Sequence, residues 1–115
     1  MRSVSSGNYM DGRNPEHVGI QVYLSKPRTT NLKYFNWEFI ELLDGTFNIK
    51  SLSSGLYLDG RHKGVGDGIH VQILDKTADE ASTSDYFKWR LQEHVFEGET
   101  RCSIQSVSSE LYLDG

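Results

Sequence analysis

Three aspartates carry the clearest chemical pattern in this chain. Asp11, Asp59 and Asp114 each precede a glycine and close related segments: Ser5-Ser6-Gly7-Asn8-Tyr9-Met10-Asp11-Gly12, Ser53-Ser54-Gly55-Leu56-Tyr57-Leu58-Asp59-Gly60 and Ser108-Ser109-Glu110-Leu111-Tyr112-Leu113-Asp114-Gly115. An exposed carboxylate beside a turn can accept two sugar hydroxyls, so a ligand role is open at these positions. A local role is open too, because Asx side chains cap backbone donors in turns, and fold symmetry alone would repeat such a residue. Tyr23 is the other ligand candidate: in Gly19-Ile20-Gln21-Val22-Tyr23-Leu24 it lies on the polar parity, opposite Ile20 and Val22.

Other chemistries find little support. His17, His62, His70 and His94 show no paired ligand spacing, which argues against a metal site. No Gly-x-Ser-x-Gly, Walker loop or His-Glu-x-x-His occurs, and the chain reads as a non-enzyme without a cofactor. The net charge is −4 and the Lys and Arg residues are scattered singly, so the basic stripe that nucleic acid requires is absent. No apolar run approaches the roughly 20 residues of a membrane helix. The single cysteine, Cys102, excludes an internal disulfide; with no secretory leader in the sequence, a cytoplasmic setting is expected. Cys102 alternates with Ser103 and Ile104 like a strand residue, which predicts a buried, inert thiol.

The elements that must position these residues also repeat. Tyr34-Phe35-Asn36-Trp37 returns as Tyr86-Phe87-Lys88-Trp89, in step with the aspartate segments, so the chain is internally duplicated. Arg2 to Ser5, Gly19 to Leu24, Phe35 to Leu42, Thr46 to Leu52, Gly68 to Leu74, Trp89 to Leu91 and Cys102 to Val107 read as short strands. Ile69, Val71 and Ile73 should face inward, and Ile104, Val107 and Leu111 should join the core. Asp44-Gly45 is expected to form a two-residue type I′ hairpin turn. His62 to Gly66 reads as a glycine-rich turn. Thr77 to Asp85 is polar and acidic, with room for one helical turn. Trp37 and Trp89 are expected to fill the interior.

The chain is thus all-β, a single domain at 1–115 with repeat one at 1–45, repeat two at 46–100 and a partial third at 101–115. Four-stranded repeats, each closed by an aromatic-x-Trp, resemble a β-trefoil of about 2.5 repeats, most similar to the ricin-type lectins. The resemblance implies a sugar-binding Asp at Asp11, Asp59 and Asp114, and a stacking aromatic at Tyr23. In the second repeat the aromatic position is Gln72, so a weaker site is expected near Asp59, His70 and Gln72. Phe35 and Phe87 stand where the family has Gln. A glycan is the partner implied. The alternative is a protein-interaction trefoil, such as a protease inhibitor or actin binder, with contacts on Asn14 to Gly19 and Thr77 to Asp85.

A closed trefoil needs three full lobes, whereas this sequence supplies about ten strands. Exposed apolar strand edges recruit other chains. The sequence is therefore expected either to pair with a second copy or to be cut from a longer one, continuing about 30–40 residues past Gly115 by the repeat length.

Overall fold

A computed structural model of the chain describes residues 9–11, 23–25, 35–63 and 69–113; the side chains of 11, 23–25, 62–63, 69–72 and 96 lie outside that description. The described elements are β1 (Tyr9–Asp11), β2 (Tyr23–Ser25), β3 (Trp37–Glu41), β4 (Phe47–Ser51), β5 (Tyr57–Lys63), β6 (Ile69–Leu74), α1 (Ala78–Thr83), a 3-10 turn (Asp85–Phe87), β7 (Trp89–Phe96) and β8 (Glu99–Ser106). Every strand pair is antiparallel. The expected Arg2 to Ser5 strand lies outside the described residues. No helix among the described residues is long and apolar enough to cross a membrane.

Strand β4 is the hub. It pairs with β3 along its whole length, meets β5 at Lys50–Tyr57 and meets β7 at Phe47–Trp89. The sheet runs β6-β5-β4-β7-β8, with β3 branching from β4, and β1-β2 form a separate pair. Strands β4 to β7 thus make one four-stranded unit from which β8 leads on.

The main core among the described residues draws on both ends of the chain. Ile49, Leu58, Ile73 and Trp89 are fully enclosed, and Met10, Leu56 and Ile104 join them, with Trp37, Leu91 and Leu113 packed at the margin. Of the residues expected inside, Ile73 and Ile104 are buried, while Val107 and Leu111 are only half-buried. A second cluster gathers Tyr57, Ala81 and Phe87 against Ile40 and Leu74, and it seats the helical segment. That segment is short because its start is well specified and its apolar stripe is one residue, Ala81. Thr77 and Glu80 form a reciprocal capping box, and Ser84 caps the 3-10 turn that follows. Buried Asn48 then ties the segment down, its Nδ2 donating to the carbonyls of Ala81 (2.9 Å) and Phe87 (2.8 Å). These bonds satisfy two carbonyls that would be costly to leave unpaired.

Three local expectations are corrected. The Asp44-Gly45 connection is a three-residue loop: Gly45 N donates to the Leu42 carbonyl, Leu42 N to that of Thr46, and only Gly45 has positive φ (85°). Asp44 instead accepts from the amide and hydroxyl of Thr46 and pairs with Lys88 at 3.1 Å. A type I turn followed by a left-handed glycine suits that pattern. The turn with two positive-φ residues is Glu97-Gly98 (52° and 79°), closing the β7-β8 hairpin. His62 is not in a turn, because β5 continues through Lys63 after a bulge between Asp59 and His62. Cys102 is exposed, not buried. It shares parity with Ile104 and Ser106, but at this end of β8 no described residue covers the face, and Thr100 on the same face is exposed as well.

The serine turn is copied almost bond for bond. Ser51 N donates to Leu56 O, and Ser106 N to Leu111 O; Ser51 Oγ meets Ser53 Oγ at 3.1 Å, and Ser106 Oγ meets Ser108 Oγ at 3.1 Å. Gly55 (φ 73°) and Glu110 (φ 62°) occupy the same left-handed position.

Two outcomes follow from the hairpin. Nothing lies within 4 Å of a Cβ built at Gly45, so Gly45→Val should cost about 1–2 kcal/mol through its positive φ alone; unchanged chemical melts would remove that strain. Thr46's hydroxyl and amide, then Lys88, hold the Asp44 carboxyl well below the usual carboxylate range. A depressed folded-state pKa adds stability above the unfolded value, about 3.9, that is lost as pH falls below it. The advantage of the parent over Asp44→Asn should therefore be full above about pH 4 and shrink in acid. A gap that stays constant in melts from pH 6 to about pH 2 would contradict this.

Candidate functional site

The register of two strand pairs brings the expected site residues together. In β1-β2, Asp11 stands directly opposite Tyr23. In β5-β6, Asp59 stands directly opposite Gln72, and His70 lies opposite His62 beyond the bulge. The two pairs are the same position in successive repeats. The side chains of Asp11, Tyr23, His70 and Gln72 lie outside the described set, as does all of Asp114, so the placement of the first four is one of strand position.

The side chain of Asp59 is described, and it differs from an exposed ligand group. Its side chain is completely buried. Oδ1 accepts from the Arg61 amide at 2.9 Å, and Oδ2 accepts from Arg61 Nε at 2.7 Å. The first bond is the Asx-type cap that Asp favours, and the second is a charge-assisted tie. The expectation of an exposed carboxylate therefore does not hold at Asp59; the local reading describes its geometry. The bulge explains why. An extra residue re-aims the strand just past the aspartate.

The glycine after the aspartate has a different purpose from turn formation. Gly60 has no positive φ and sits within β5. A Cβ there would come within 2.6 Å of Ser106 Oγ, 2.7 Å of Trp89 Cη2 and 2.8 Å of Ser106 Cβ. The Trp89 indole lies against this glycine and donates its Nε1–H to the Leu58 carbonyl at 3.2 Å, while Ser106 Oγ donates to the Gly60 carbonyl at 3.1 Å. The first repeat keeps the indole bond: Trp37 Nε1 donates to the Met10 carbonyl at 2.9 Å, again from the residue preceding the aspartate. Each Trp therefore props the strand that carries its repeat's aspartate. This gives both tryptophans a polar tie in addition to packing.

Two site-forming residues escape the reading of the sequence given above. Arg61 lays its guanidinium over the Tyr86 ring, 4.0 Å from the centroid, and 5.9 Å from that of Phe87. Their signal was nonetheless present. Arg follows the aspartate by two residues in both Asp11-Gly12-Arg13 and Asp59-Gly60-Arg61, and a Tyr opens both aromatic-x-Trp segments, at Tyr34 and Tyr86. Among the described residues no group of three or more His, Cys, Asp or Glu could hold a metal ion.

With this geometry in view, comparison with solved structures defines the class. The chain is similar to ThreeFoil, a designed 3-fold symmetric protein, with a TM-score of 0.71 and 21% identity, over 96% of this chain and 73% of that one. It is also similar to the GlcNAcα1-4Gal releasing endo-β-galactosidase from Clostridium perfringens, with a TM-score of 0.63 and 17% identity. That likeness covers 99% of this chain and 28% of the galactosidase. The fold is β-trefoil-like, all-β and built from repeated four-stranded units. No protein-family model matches the chain, and no curated protein matches it.

The junction at Gly60 sets a direct test. Gly60→Ala should destabilise by about 1–3 kcal/mol, because Trp89 and Ser106 must both give way. Gly55→Ala, in open space at φ 73°, should cost about 1 kcal/mol for its backbone alone. If Gly60→Ala melts like the parent, the close approach does not hold the repeats together.

Proposed function

We propose that this protein is a non-catalytic carbohydrate-binding module whose principal site lies in the first repeat, at Asp11 and Tyr23. The observation that carries the reading is the β1-β2 register, with a carboxylate residue and an aromatic residue at directly opposed positions. Carbohydrate recognition uses both types: a carboxylate accepts paired hydroxyls, and an aromatic face covers the apolar side of a sugar ring. The second repeat has Gln72 at the aromatic position and an aspartate engaged by Arg61, so it does not offer the same pair of groups. Likeness of the chain to a portion of a galactosidase that releases GlcNAcα1-4Gal supports a glycan ligand over the protein-interaction alternative.

A glycan array followed by titration of the best neutral ligand tests it. Tyr23→Ala should abolish binding, with loss of about tenfold in affinity or more, while the melting temperature stays close to that of the parent. Undiminished affinity in Tyr23→Ala for a glycan that the parent binds would reject the site.

A further inference from the structure

The second repeat carries a group that the proposed function does not use. Arg61 is held on two sides: its Nε and its amide by buried Asp59, and one guanidinium face by Tyr86. Its terminal nitrogens, Nη1 and Nη2, donate to no described residue, and 32% of the side chain is exposed. The fork is oriented by Asp59 and Tyr86 and has no acceptor among the described residues, so little side-chain entropy remains to be lost on binding. Tyr86 is itself 45% exposed and offers further ring surface beside the fork.

We infer that Arg61 and Tyr86 form an anion-recognition site for the carboxylate of an acidic sugar, a hexuronate or a sialate. The sugar part of this assignment rests on the carbohydrate reading above and names a ligand class for the second repeat. The planar fork matches a carboxylate in two parallel bonds, and the exposed part of the Tyr86 ring meets the sugar. Asp59 is the positioning residue: buried and bonded to Nε, it fixes which edge of the guanidinium points outward. Because Asp59 also offsets the charge of Arg61, a free small anion gains little, and recognition depends on the fork and the ring together. Asp-Gly-Arg and the leading Tyr recur in the first repeat, so the sequence retains these residue types in both copies.

Calorimetric titration of the full chain with methyl glucuronide, a methyl sialoside, methyl glucoside and acetate tests the assignment. At least one acidic glycoside should bind about tenfold or more tightly than the glucoside and than acetate. Arg61→Lys keeps a cation beside Asp59 but removes the fork, and it should erase that preference; Tyr86→Ala should weaken the acidic glycoside about tenfold. Should Arg61→Lys fail to fold, the Arg61 Nε–Hε resonance of the parent gives an independent readout, and it should shift on adding the acidic glycoside. Equal binding of acidic and neutral glycosides, a preference retained in Arg61→Lys, acetate binding as tightly as the glycosides, or a stationary Arg61 resonance would each overturn the site. Dependence of neutral-glycan binding on Tyr23 reads the first repeat alone, so either assignment can fail without the other.

Discussion

The close approach of Trp89 and Ser106 to Gly60 is the constraint on which the described architecture depends. Three pieces of chain distant in sequence meet there: the aspartate segment of the second repeat, the tryptophan that closes it, and the serine turn that opens the next. Because no side chain intervenes, the indole reaches the Leu58 carbonyl and the Ser106 hydroxyl reaches the Gly60 carbonyl. Both bonds lie in the buried interior, where leaving either acceptor unpaired would be costly. The glycine of Asp59-Gly60 therefore belongs to packing. What looked like punctuation in the sequence is a seat for another repeat.

The same device explains how the repeats can differ in chemistry while sharing a scaffold. The indole bonds of Trp37 and Trp89 and the copied serine turns fix the path of the backbone without using the positions opposite the aspartates. Tyr23 and Gln72 differ at these positions while both strand pairs keep the same register to their aspartates. Asp59 shows the other consequence. Once a carboxylate is enclosed, it needs a partner, and Arg61 provides it two residues on. The arginine in turn is ordered by Tyr86, so the buried charge has an organised group at the surface.

The helical segment between β6 and β7 is a smaller instance of the same principle. Its own sequence specifies a start, through Thr77 and Glu80, and little else. Its position is set from outside by Asn48, whose two bonds cross from the hub strand to Ala81 and Phe87. A single buried amide, with the apolar seat of Ala81 and Phe87, thus locates an acidic segment.

Much of this protein was determined by its sequence alone. Internal duplication, the all-β class, the buried role of Trp89 and the alternation that places Ile73 and Ile104 inside all depend on local periodicity and composition, which a chain carries in its order of residues. The family resemblance brings Asp11 and Tyr23 together as site residues; that they stand directly opposite each other comes from the β1-β2 register. Only the tertiary structure decided the rest. Whether Asp-Gly at 44–45 or Glu-Gly at 97–98 takes two positive φ angles depends on the register of whole hairpins, a long-range property. Cys102 keeps the parity of a core residue but lies where no second layer covers it. Asp59 has a residue type suited to the surface and is nevertheless enclosed: past a bulge in its own strand Arg61 turns back onto the carboxylate, and Tyr86 from the distant 3-10 turn covers that guanidinium. Parity tells which face of a strand a residue occupies; what covers that face is settled by chain segments far away in the sequence.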